Sequence, residues 1–110
     1  MTLRHAQDKL ANALRGEAAI EIGGTVHTLR PAFSALVAAE EELGPLLALV
    51  ERAGAGRLCL SEMAVLFWHC LPGEHGLTRD AVGEAIAARG LAACAGPLRM
   101  LLSQILKGAG

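Results

Sequence analysis

Cys59, His69, Cys70 and His75 carry the side chains best suited to a metal, since thiolate and imidazole together suit zinc. Their spacing argues against a shared ion. His69 and Cys70 are adjacent, so on a helix they point about 100° apart. The chain has no CxxC or HxxxH pair to present two ligands on one face. The favoured reading is a buried cysteine, a helix-end histidine and a loop histidine, with no metal and no cofactor.

Nucleophilic catalysis fares no better. Ser34, Ser61 and Ser103 fall in a helix, at a helix cap and in a helix, and none sits in a GxSxG elbow. A cysteine activated by one of the four histidines is a matter of space rather than spacing, so structural roles are preferred. Glu40, Glu41 and Glu42 are consecutive and fan out around a helix axis instead of converging on a substrate. They read as a solvated face, with an acidic contact patch as the functional alternative. Gly23-Gly24 and Gly54-Ala55-Gly56 lack the following Lys-Ser or Lys-Thr of a phosphate loop, and turn chemistry explains both. A helix-turn-helix can be drawn through residues 78–104, but its second helix offers only Arg99 as a strong groove-reading residue. The reading is therefore not an enzyme.

The elements that position these residues are organised around residues 16–43, GEAAIEIGGTVHTLRPAFSALVAAEEEL, where a period of two gives way to a helical one. Ile20 and Ile22 lie two apart, Gly23-Gly24 follows, and Val26 to Leu29 resumes the pattern, which is a hairpin signature. Two registers remain open. If Gly23-Gly24 alone form the loop, Ile20 and Ile22 share a face with His27 and Leu29; if Thr25 joins it, Val26 takes that place. Pro31 then favours a helix start, with Phe33, Leu36, Val37 and Leu43 on its inner side and Gly44 ending it.

Gly44-Pro45 stops one helix and starts another, carried by Leu46, Leu47, Val50 and Ala53. Residues 57–60 read as extended, and Ser61 as the N-cap of a helix beginning at Glu62. That helix, EMAVLFWHCL, is apolar nearly all round and belongs at the centre of the core. Thr78 caps a further helix whose inner stripe is Val82, Ala85 and Ile86, closed by Gly90. The last segment runs over residues 91–107, and Gly96-Pro97 either breaks it or begins its second part. An N-terminal stripe at Leu3, Ala6, Leu10 and Leu14 is too short to hold as a helix unless it docks. The fold class is a small, mainly α-helical α+β domain, one N-terminal hairpin followed by four to five helices.

A chain of 110 residues suits one domain. It is 53% apolar but only 3% aromatic, so the core should be aliphatic, with Phe33, Phe67 and Trp68 as its only large rings. Ten Lys plus Arg against eleven Asp plus Glu give a net charge of -1, without the basic surplus that draws in phosphates. Cys59, Cys70 and Cys94 are odd in number and sit among apolar neighbours, which suggests free buried thiols and a reducing cytoplasm. No segment reaches the run of about 18 apolar residues that a membrane span needs, and the first 16 residues lack a signal-peptide core. What remains is an apolar excess in the C-terminal face at Leu98 to Leu106 and in the N-terminal stripe at Leu3 to Leu14. Packing on the central helix is the favoured account of it, and partner contact the alternative.

The run RGEAAIEIGGTVHTLRPAFSALVAAEEELGPLLALV, followed by RLCLSEMAVLFWHCL and LTRDAVGEAIAARGL, resembles the small tail assembly chaperones of gene transfer agents and related prophages. The resemblance lies in the order of segments and contains no catalytic motif. It covers residues 15–107 as one domain, leaving 1–14 as an N-terminal extension and 108–110 as a disordered tail. It implies a non-enzymatic, cytoplasmic factor that binds tape-measure protein, tail-tube protein or both during tail building and is absent from the mature particle. Self-association is a further option; nucleic acid and membrane are not expected partners. On this reading Leu98, Leu101, Leu102, Ile105 and Leu106 supply apolar contacts and Glu40, Glu41 and Glu42 an acidic rim. The rivals are a small helical DNA-binding regulator and, less favoured, a Cys/His metal-binding protein.

Overall fold

The computed structural model describes residues 18–73 and 75–108. The N-terminal stripe from Leu3 to Leu14 lies outside them. The described residues begin with an antiparallel hairpin, β1 (Ala18–Ile22) and β2 (Thr25–Leu29). Gly23 and Gly24 both take positive φ, 58° and 83°, as a two-residue loop with the twist of its flanking strands requires. This loop decides the register. Ile20 opposes His27, Ile22 opposes Thr25 and Ala18 opposes Leu29, so Ala18, Ile20, Ile22 and Leu29 are buried on one face.

Five helices follow: α1 (Phe33–Leu43), α2 (Leu46–Gly54), α3 (Leu60–Cys70), α4 (Arg79–Arg89) and α5 (Leu91–Lys107). Pro31 does not begin α1. The Ala32 N–H donates to the Arg30 carbonyl at 2.9 Å, forming a γ-turn around the proline, and the helix starts two residues later. At the other junction Gly44 ends α1 at φ 85°, and the side chain of Glu40 accepts the Leu46 N–H at 3.1 Å, satisfying one orphan donor of α2.

The apolar helix α3 is the centre. It buries Met63, Ala64, Leu66, Phe67 and Cys70, with α1 on one side and α4 on the other. Truncating Phe67, which is fully buried, should cost about 3–5 kcal/mol. The hairpin closes the other end of the core, β1 packing on α5 and α4. The backbone also ties the two regions directly, as Arg30 N–H donates to the Cys70 carbonyl at 2.7 Å.

Several expectations are corrected here. Helix α3 begins at Leu60 with Cys59 as N-cap, because Glu62 returns to accept the Cys59 N–H at 3.0 Å; Ser61 is inside the helix. Cys59 is accordingly exposed, whereas Cys70 and Cys94 are buried, and all three are free thiols. Phe33 is 84% exposed in the first turn of α1, and Phe67 alone among the rings is fully buried. In α2 the buried residue is Leu49, with Leu47 left 67% exposed. Helix α5 runs unbroken through Pro97, which gives up one backbone bond while Cys94, Leu98, Leu101 and Leu102 anchor both sides of it in the core. Thr78 caps α4 as expected, its hydroxyl accepting the Ala81 N–H at 3.0 Å. Among the described residues no single helix is long and apolar enough to cross a membrane.

Candidate functional site

The ends of α1 and α3 and the start of α4 meet in a polar and aromatic cluster. Glu42, near the C-terminus of α1, accepts from both terminal nitrogens of the Arg79 guanidinium and from Nε2 of His69 at 2.7 Å. The same guanidinium lies over the Trp68 ring, 4.7 Å from its centroid. Trp68 donates its indole N–H to the Leu77 carbonyl at 2.7 Å, and Leu77 N–H donates to Nδ1 of His75 at 3.0 Å. His69 and His75 both stand edge-on to the indole, with centroids 5.0 and 5.7 Å away. The loop between α3 and α4 is thus fastened to the helices on each side of it.

The electrostatics suit a clamp rather than a proton-transfer site. Arg79 and then His69 hold the Glu42 carboxyl down to about 2, and Glu42 in turn raises Arg79. A carboxylate this firmly ionised neither donates nor stores a proton at neutral pH. A second pair braces the far end of α3, where Arg52 of α2 meets Glu62 at 2.6 Å. The Cys59 N–H and then Arg52 lower the Glu62 carboxyl. Burial pushes the Cys70 thiol up to about 12, so it is not a thiolate at neutral pH. His69 and Cys70 are neighbours on α3 with different surroundings, the first on Glu42 and the second in the core. Among the described residues no three His, Cys, Asp or Glu side chains gather as a metal site would require.

Beside the clamp lies an open groove of about 810 Å³ between α3 and α4. Leu60, Ala64 and Val65 line it from α3, and Asp80, Gly83, Glu84 and Ala87 from α4. A smaller hollow of about 420 Å³ lies between the start of α1 and residues 71–73. The residues suggested for partner contact are placed differently. Leu98, Leu101 and Leu102 are buried, Ile105 is partly buried against the core, and Leu106 is 52% exposed. Glu40 caps α2 and Glu42 is held in the clamp, while Glu41 is exposed.

Sequence reasoning passed over Arg79 and read Trp68 only as a core ring, whereas it is partly buried beside the guanidinium. One signal for Arg79 was present: a cation in the first turn of a helix opposes the dipole, so a nearby anion would favour it there. Its identity was not readable, because Glu42 is distant in sequence and reaches Arg79 only through the packing of α1 and α4 against α3.

With this architecture in view, comparison with known proteins places the chain among the tail proteins of phages and gene transfer agents. A family model described as "Phage tail tube protein, GTA-gp10" matches residues 15–108, nearly the whole chain, and the protein belongs to that family. No curated protein and no solved structure matches it.

Proposed function

We propose that this tail protein is a non-enzymatic assembly chaperone that binds tape-measure protein, tail-tube protein or both in the cytoplasm of the producing cell and leaves before the particle is complete. The observation that carries this reading is a helical surface with unspent apolar side chains, in a chain whose family match over residues 15–108 makes it a phage-type tail protein. Phe33, Leu47, Leu60, Leu91 and Leu106 are all at least 40% exposed, spread over α1, α2, α3 and α5. A surface of separate apolar contacts around a firmly braced core suits reversible shielding of amphipathic partner segments. The clamp at Glu42 is saturated by its own partners, which agrees with binding rather than chemistry.

A second reading is favoured by the family description itself: a subunit of the tail tube, retained in the finished particle. Co-expression of the chain with the tape-measure and tail-tube proteins of its own gene cluster, followed by affinity capture and a solubility assay, tests the chaperone. Capture of either partner with more of it kept soluble supports the proposal. A folded bait that captures neither and improves the solubility of neither contradicts it.

A further inference from the structure

We propose that the groove between α3 and α4 is the seat of a partner helix, one with an apolar face flanked by lysine or arginine, an inference that rests on the tail-assembly reading above. Asp80, Gly83, Glu84 and Ala87 fall at i, i+3, i+4 and i+7 and therefore share one face of α4, the face that lines the groove. Gly83 and Ala87 keep that wall low, and Ala64 does the same across the floor, which lets another backbone come close. Leu60, 40% exposed, and Val65 supply apolar contact from α3.

Size and charge define the occupant. The stretch from Asp80 to Ala87 is about two helical turns, so this wall runs alongside about two turns of a docked helix. Asp80 and Glu84 are exposed one turn apart, and neither forms an ion pair among the described residues. Arg79, the cation on this wall, is occupied by Glu42 and Trp68. The groove therefore presents an apolar floor with an acidic edge, complementary to an amphipathic helix carrying two basic residues one turn apart. A compact polar ligand fits poorly, since the acidic groups stand at one wall and do not converge on a point.

Two features make the test clean. A Cβ added at Gly83 would meet Ala64 Cβ at 3.6 Å, an ordinary contact, so Gly83→Leu adds bulk at the groove wall from a helical position that accepts a side chain. Cys59 lies at the end of the groove and is the exposed thiol of the three, so its alkylation rate reports occupancy. The probes are overlapping peptides of about 20 residues covering the tape-measure and tail-tube proteins of the same gene cluster.

The expected result is that peptides with an apolar stripe and a basic flank slow Cys59 alkylation of the full chain. Gly83→Leu and the double variant Asp80→Lys/Glu84→Lys, each shown to be folded by circular dichroism, should weaken that binding about tenfold or more. Three outcomes overturn the inference: no peptide protects Cys59, the protecting peptides are acidic or uncharged, or light scattering shows that a second copy of this chain fills the groove and Gly83→Leu dissolves the dimer. If the intact partners are captured equally by wild type and Gly83→Leu, the groove assignment fails while the chaperone reading stands.

Discussion

Glu42, next to the last residue of α1, grips the guanidinium of Arg79, the first residue of α4, across 37 positions of sequence. Neither helix packs its apolar face on the other; both lie on α3, and this ion pair closes the triangle. His69 and Trp68, on the last turn of α3, complete it. The pair therefore ties the start of α4 to the end of α1 beside the groove, while the apolar packing of α4 on α3 sets the groove's width.

Acid should loosen this arrangement. The folded state binds the Glu42 proton less readily than the unfolded state, so its contribution is complete above the ordinary value of 4.5 and is lost as pH falls through about 2. Urea midpoints measured across that range should fall for wild type and fall less steeply for Glu42→Gln, which retains the smaller share due to Glu62. Equal slopes would show that the pair adds nothing to stability.

Trp68 is the sole tryptophan, so its fluorescence reads the clamp alone. Arg79→Ala removes the cation over the indole and should alter the emission and its quenching by iodide while the far-ultraviolet spectrum is kept. Trp68→Phe should cost about 1 kcal/mol from the lost bond to the Leu77 carbonyl alone, read as a shifted denaturation midpoint.

The two ends of the apolar face on α5 should behave oppositely. Leu102 is 7% exposed, and Leu102→Asp would bury an unpaired charge at a cost of about 3–5 kcal/mol, enough to unfold a marginal domain. Leu106→Asp, at a residue 52% exposed, should stay within about 0.5 kcal/mol of wild type. Thermal melts of the two variants decide whether this face is core or open surface.

Thiol chemistry should count the core. In the folded protein Cys59 should react rapidly with a disulfide reagent, while Cys70 and Cys94, buried and with raised thiol values, should react only at the rate of unfolding. Three fast thiols in native buffer would contradict the packing of α3 and α5.

Much of this fold is written in local pattern. The hairpin follows from Gly23-Gly24 and the alternation at Ile20 and Ile22, and the burial of α3 from its lack of a polar face. Thr78 and Gly90 mark the limits of α4 as capping chemistry demands. The hairpin register was not legible until the turn was seen, because slipping one residue exchanges its faces without changing its composition. Phe33 misled because helical spacing does not say whether a neighbour reaches the first turn, and Pro97 because its lost bond was weighed without the buried leucines that hold α5 together. The clamp was hidden for another reason: Glu42 sits in a run of three glutamates whose members look alike in sequence, and only the tertiary arrangement separates a cap for α2, a free carboxylate and the partner of Arg79.

We propose that the protein serves assembly and then departs. The most direct test is quantitative mass spectrometry of this chain against the tail-tube protein in purified particles and in the cells that produce them. A chaperone predicts abundance in producing cells and only trace amounts per particle. Copies in the particle at a fixed, many-fold ratio to the tape-measure protein would contradict the account and establish a tube subunit instead.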